Sequence, residues 1–137
     1  MANSGKKAGA SYESRFAAEA ISRGFDVHHP IGDYLPYDYI LTNDRDGSFR
    51  VQVKGTVYRQ KGKRAFKVLA ATGKGGAEKV VLSKDEVDVL AAYVAPALTW
   101  YLIPIEKVTS KSVLLSPLDE SSVGQYEPWR EAWNVFA

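Results

Sequence analysis

The stretch Phe49-Arg50-Val51-Gln52-Val53-Lys54 decides how this chain is read. In an extended strand, successive side chains point to opposite faces. Phe49, Val51 and Val53 therefore share one side, and Arg50, Gln52 and Lys54 share the other. The first side is wholly apolar and suits a core. The second is wholly polar and sets a lysine two residues from an amide. Residues 37–42 read as a neighbouring strand and 43–48 are rich in turn residues, so the two strands should form a hairpin. A three-residue loop, Arg45-Asp46-Gly47, with Gly47 in the left-handed conformation belongs to a favoured class. That register sets Asp44 opposite Ser48, Ile40 opposite Gln52 and Asp38 opposite Lys54. Asp38, Gln52 and Lys54 then share a face, and a slip of one residue would turn Asp38 away from it.

Upstream of the hairpin, Tyr12, Phe16, Ala17, Ala20 and Ile21 recur at helical spacing. Ser11 can cap this helix and Gly24 can stop it. Glu13 lies on the same face as Phe16, Ala17 and Ala20, whereas Glu19 stands four residues from both Arg15 and Arg23 in an exposed ladder. An inward carboxylate needs a partner, because a buried unpaired charge is costly. A divalent cation beside Asp38 would serve; a favourable place near a helix N-terminus is the simpler account of Glu13. Residues 25–29 form a short strand closed by Pro30. His28 and His29 are adjacent, so they face opposite ways and do not make a metal pair.

Downstream, 65–71 reads as a strand, 84–93 as a helix, 100–105 as a buried strand and 112–115 as a short strand. Asp85, Glu86 and Asp88 then fall at a helix start, where the dipole accounts for them. Trp129, Ala132, Trp133 and Phe136 fit one face of a C-terminal helix behind Pro128, a stripe that suits packing. The Gly73-Lys74-Gly75-Gly76 run lacks the spacing of a phosphate-binding loop. Residues 87–105 contain Asp88, Pro96 and Pro104, which fits a buried helix and strand better than a membrane span.

The chain has 137 residues, 45% hydrophobic and 25% charged, which suits one globular domain and excludes a disordered one. Residues 1–9 read as a flexible leader and 10–137 as a single domain. Without cysteine, a disulfide framework, a thiolate zinc site and a cysteine nucleophile are all excluded. The leader is polar, with no apolar stretch behind it, so the expected location is cytoplasmic. The net charge of +2 is unevenly spread: residues 51–80 hold eight Lys/Arg against one acid. Such a segment suits either a polyanion-binding face or a solvated loop.

Gly9-x-x-x-Glu13, Gly24-Phe25-x-Val27, Tyr37-Asp38-Tyr39-Ile40 and Val51-Gln52-Val53-Lys54, in that order, resemble the PD-(D/E)xK nuclease superfamily. Asp88, Ala92-Tyr93 and 100–104 are similar to the latter half of its homing endonuclease branch. The resemblance implies a restriction-endonuclease-like α/β fold, a mixed sheet of four or five strands flanked by helices on an α-β-β-β-α-β core. It implies Asp38 as the central metal-binding carboxylate, Gln52 at the second acid's position, Lys54 as the motif lysine and Glu13 as the helix acid. The Val53 carbonyl would complete the metal shell. Gln52 departs from the pattern because it offers a carbonyl oxygen without charge.

Hard oxygen donors select Mg2+, with Mn2+ able to substitute. The expected activity is metal-dependent DNA hydrolysis, of the Holliday junction resolvase kind. A sequence-specific homing or restriction-type nuclease is the alternative within the fold, and a non-catalytic DNA-binding module the alternative outside it. Arg59, Lys61, Lys63, Arg64 and Lys67 would hold the DNA backbone, an affinity that is salt-sensitive and blind to sequence. Cutting two strands with one site per chain calls for a homodimer or higher homo-oligomer. No membrane partner is expected.

Overall fold

A five-stranded sheet in the order β1-β2-β3-β7-β8 forms the centre of the computed structural model, which describes residues 4–60, 64–72, 80–119 and 124–137. Helix α1 (Ser4–Ser22) precedes strands β1 (Asp26–His28), β2 (Tyr39–Thr42) and β3 (Ser48–Thr56). Short strands β4 (Phe66–Leu69), β5 (Ala71–Thr72) and β6 (Val80–Val81) follow, then β7 (Val89–Val94), β8 (Thr99–Pro104) and β9 (Ser112–Leu115). Strand β7 runs parallel to β3; the other pairings are antiparallel. This is the mixed α/β architecture expected of a restriction-endonuclease-like fold.

Helix α1 begins at Ser4, seven residues before the expected Ser11 cap, so residues 4–9 are helical rather than a leader. Its end is as expected. Gly24 sits at φ +94°, its amide donates to the Ile21 carbonyl at 2.9 Å, and the Phe25 amide reaches back to the Ala20 carbonyl at 3.1 Å. That pair of bonds satisfies the last carbonyls of the helix.

The hairpin register differs from the expected one by two residues. Ile40 lies opposite Arg50, not Gln52, and Thr42 lies opposite Ser48. The loop is therefore residues 43–47, and Asn43 organises it: its Oδ1 accepts the amides of Arg45 at 2.9 Å and Gly47 at 2.8 Å. The left-handed residue is Asp46, at φ +62°, in place of the expected Gly47. A shift of two keeps parity, so every side chain stays on the face assigned from sequence.

Residues 84–93 are not helical. Residues 89–94 form β7, buried along its whole length between β3 and β8. A parallel strand covered on both faces carries an uninterrupted apolar run, as 89–94 does. Among the described residues, the connection from β3 to β7 holds short strands where the expected core order has a helix.

The C-terminal helix is also replaced, by two 3-10 turns, Glu127–Trp129 and Trp133–Phe136. Between them the chain covers the open edge of β8: Arg130 bridges Tyr101, and the Glu131 amide donates to the Trp100 carbonyl at 2.8 Å. Sheet-edge hydrogen bonds thus displace helical ones.

Side chains alternate across the sheet into two cores. On one side Phe16 and Ala20 of α1 pack on Leu41, Val51, Ala91, Leu102, Trp133 and Phe136. On the other, Leu90, Ala92, Tyr101 and Ile103 meet Phe66, Val68, Val113 and Leu115 of the β4–β9 ribbon. Trp129 packs on the ribbon side and Trp133 on the helix side, so the tryptophans are packing residues but not one stripe. No described helix is long and apolar enough to cross a membrane.

Candidate active site

Strand β3 alternates as expected: Val51 and Val53 are buried, while Gln52 and Lys54 are half-exposed. Beside them, Asp38 immediately precedes β2. Its amide donates to the Val51 carbonyl at 2.8 Å, and its Oδ2 accepts the Val53 amide at 2.8 Å. The carboxylate thus takes a strand amide that would otherwise go to a backbone carbonyl. The aspartate is fixed, and its other oxygen accepts no hydrogen bond from the described residues.

Helix α1 closes the site from the other side. Gly5, Ala8, Gly9, Tyr12 and Glu13 line a cleft of about 440 Å³ together with Asp38, Gln52, Val53, Lys54 and residues 55–58. Those helix positions recur at three- and four-residue spacing, so one face of α1 overhangs β3. The close approach depends on Gly55, where a Cβ would overlap the Tyr12 ring. All of the expected cluster, Glu13, Asp38, Gln52, Val53 and Lys54, is therefore brought together.

The electrostatics are those of a strained acidic pair. Burial pushes the Glu13 carboxyl above the usual range, and the nearby Asp38 charge pushes it further; His29 and Lys54 pull it back. Burial also raises the Asp38 carboxyl, against the opposing Val53 amide, Lys54 and His29. The side chains of Glu13, Gln52 and Lys54 make no hydrogen bond or close ion pair with the described residues. Such a convergence of carboxylates with raised values in a cleft marks a candidate functional site.

The donors suit a hard divalent cation. Two carboxylates, the Gln52 amide oxygen and the Val53 carbonyl are all oxygen ligands. Among the described residues no group of three His, Cys, Asp or Glu side chains could hold a metal, and this cleft brings together two carboxylates with neutral oxygen donors. Mg2+ commonly uses one or two carboxylates and completes its shell with water and substrate phosphate, so the set fits.

Other expected residues divide. Lys67 stands next to the cleft, in a groove that also includes Lys54. Arg64 turns away, its Nη2 donating to the Leu118 carbonyl at 2.8 Å. Arg59 bridges Phe66, and Lys61 and Lys63 lie outside the described residues. His28 donates to or accepts from Thr42 Oγ1 at 3.1 Å, whereas His29 packs edge-on to Tyr39 beside the acidic pair.

Asp88 is no helix-start acid. Its Oδ2 accepts the Arg50 amide at 2.8 Å and Arg50 Nε at 3.0 Å, clipping β3 to the start of β7. Sequence reasoning also passed over Tyr12, Gly55 and Tyr58. The Gly55 that follows Lys54 was the available signal, because a glycine inside a strand marks close approach by another group.

A sequence profile described as PD-(D/E)XK endonuclease matches residues 3–136. The chain belongs to that family. No curated protein is a detectable relative by sequence. Among solved structures, the bacterial homing endonuclease I-Ssp6803I superposes with a TM-score of 0.83 at 22% identity, over 96% of this chain and 92% of that one. Hjc, a Holliday junction resolvase from the archaeal hyperthermophile Archaeoglobus fulgidus, superposes with a TM-score of 0.50 at 19% identity, over 86% of each chain. At such identities the likeness is one of fold. Membership of the family makes this chain a nuclease that hydrolyses phosphodiester bonds, in a family that typically uses divalent metal ions.

Proposed function

We propose that this chain is a Mg2+-dependent DNA endonuclease whose reaction site is the cleft of Glu13, Asp38, Gln52 and Lys54. The observation that carries the reading is their convergence: both carboxylates are held above their ordinary range, and the side chains of Glu13, Gln52 and Lys54 have no hydrogen-bond partner among the described residues. Asp38, Glu13, Gln52 and the Val53 carbonyl hold the cation. A cation held there would supply polarisation of the scissile phosphate and a more acidic bound water. Lys54 stands beside that phosphate and offsets the negative charge that develops on it. Asp38 keeps its orientation through the Val53 amide, so the cation-binding oxygen is positioned before substrate arrives. Gln52 supplies a ligand without adding a third negative charge, which eases the approach of a phosphodiester.

For the substrate, the extent of the likeness to I-Ssp6803I supports a homing-type enzyme acting on duplex DNA. A junction-resolving role is the second reading. It rests on the lysine-rich composition of residues 59–67, since lysine is a point charge suited to phosphate, and on the likeness to Hjc. The deciding experiment incubates the protein with four-way junction, duplex and single-stranded DNA, each in Mg2+ and in EDTA. Cleavage only with Mg2+ is expected. Equal binding in both with no cleavage would make the chain a DNA-binding module instead. Either substrate needs two cuts, so we propose a homodimer or larger homo-oligomer, checked by light scattering.

A further inference from the structure

Lys54, Gly55 and Tyr58 belong both to the reaction cleft and to a second groove of about 490 Å³, which continues past Tyr58 to Lys67, Val68 and Leu69. The Tyr58 side chain is 65% exposed, yet its backbone is held at both ends. Its amide donates to Thr56 Oγ1 at 2.8 Å, and its carbonyl accepts the Lys67 amide at 3.1 Å. Thr56 is itself buried. An aromatic ring on a fixed backbone therefore stands in solvent in a groove that it shares with two lysines, and the groove's apolar wall includes the half-exposed Leu69.

A path for phosphates alone would need cations and nothing more. An exposed ring on a fixed backbone, flanked by cations, is what binds a nucleobase: the π-face stacks while lysines take the phosphates on either side. A paired base is covered above and below by its neighbours, so only an unpaired one can offer that face. We propose that Tyr58, with Lys67, forms a second substrate subsite that stacks one unpaired nucleotide of the strand next to the scissile phosphate. This rests on the nuclease reading of the adjoining cleft and adds a preference to it: a duplex in which one base leaves the stack beside the cut.

The test uses two 30-base-pair duplexes, one fully paired and one carrying 2-aminopurine as a single-nucleotide bulge, with Ca2+ replacing Mg2+ so that strands stay intact. The wild type should bind the bulged DNA more tightly and quench the 2-aminopurine emission. Tyr58→Ala should abolish the quench and weaken bulge binding roughly tenfold, leaving paired DNA within about twofold. Tyr58→Phe should behave as wild type, since the ring and not the hydroxyl stacks. Lys67→Ala should weaken both DNAs alike and reduce the log–log salt slope by about 0.9, one phosphate contact. Unchanged bulge binding and quenching in Tyr58→Ala would overturn the subsite. So would a change of oligomeric state on size exclusion, which would assign the ring to a contact between copies. Loss of Mg2+-dependent cleavage in Asp38→Asn is measured in parallel. If that loss is seen while the bulge effects are absent, the subsite fails and the nuclease reading stands; if the wild type binds neither DNA, both fall.

Discussion

The Arg50–Asp88 clip gives a magnitude that can be worked from the structure. Asp88 accepts the Arg50 amide at 2.8 Å, Nε at 3.0 Å and Nη2 at 3.2 Å. Replacing it with alanine removes all three hydrogen bonds. The guanidinium retains the Asp85 carbonyl at 2.8 Å and the Lys84 carbonyl at 2.7 Å, so it is not stranded, but the Arg50 amide loses its partner. An orphaned donor costs about 1–3 kcal/mol, and hydrogen bonds to a charged group contribute about 1.5–3 kcal/mol. The two side chains are 32% and 22% exposed, so the charge contribution is partly screened. The expected loss for Asp88→Ala is then about 2–3 kcal/mol.

Urea denaturation at pH 7 should show it as a lower midpoint at unchanged slope. The pH dependence has a definite sign. Burial alone would raise the Asp88 carboxyl, but the Arg50 side-chain and amide hydrogen bonds outweigh it, so the net shift is downward. A depressed acid contributes stability that is present above its unfolded value near 3.8 and lost as pH falls through the folded value. The gap between wild type and Asp88→Asn should therefore be full at pH 7 and shrink below pH 3.8. A loss within about 0.5 kcal/mol at pH 7, typical of a surface substitution, would refute the clip.

Three further outcomes are expected. Asp38→Asn should abolish cleavage while keeping DNA binding within a few-fold. Because burial raises this carboxyl, ionisation costs the folded state stability as pH rises from the unfolded value near 3.8 through the folded one, so the variant should melt higher than wild type at pH 7 in EDTA. Cleavage at the wild-type rate would sink the site assignment. Glu13→Gln should lower activity by orders of magnitude, whereas Glu19→Gln loses only an exposed pair with Arg23 at 3.4 Å, about 0.3–0.5 kcal/mol; the reverse ranking in a cleavage assay would show that the two faces of α1 are misassigned. Gly55→Ala should force Tyr12 off β3 and lower activity well below that of the wild type; equal activities would disprove the close approach.

What could be read from sequence follows a physical division. The faces of β3, the stop at Gly24 and the inward place of Glu13 depend on local periodicity and backbone conformation, and the structure has them as read. The hairpin register depends on a loop that Asn43 closes with its own side chain, while its Nδ2 reaches the Phe136 carbonyl at 2.7 Å, 93 residues away. No local rule contains that contact. Strand β7 was misread because 84–88 carry the acids of a helix start. Asp88 instead answers to Arg50 across 38 residues, and the continuous apolar run that follows was the better signal. The C-terminal segment has helical spacing, yet the exposed edge of β8 offers hydrogen bonds that its own helix would have to match.

The candidate site could be located from sequence despite these errors because it depends on less than the fold does. Grouping Asp38 with Gln52 and Lys54 requires the right parity and the right pair of strands, not the right register. A two-residue error left it intact, where a one-residue error would have destroyed it. The surroundings of the cleft had no such protection. Tyr58 owes its fixed backbone to Thr56 and to Lys67 on the next strand, and Tyr12 owes its place to the missing Cβ of Gly55. Those features arise only when the chain returns on itself. The proposed reaction groups lie within short sequence motifs, whereas those proposed to select the substrate lie where distant segments meet. The family resemblance was therefore legible in residues 9–54, while the proposed stacking subsite depends on contacts that only the folded chain supplies.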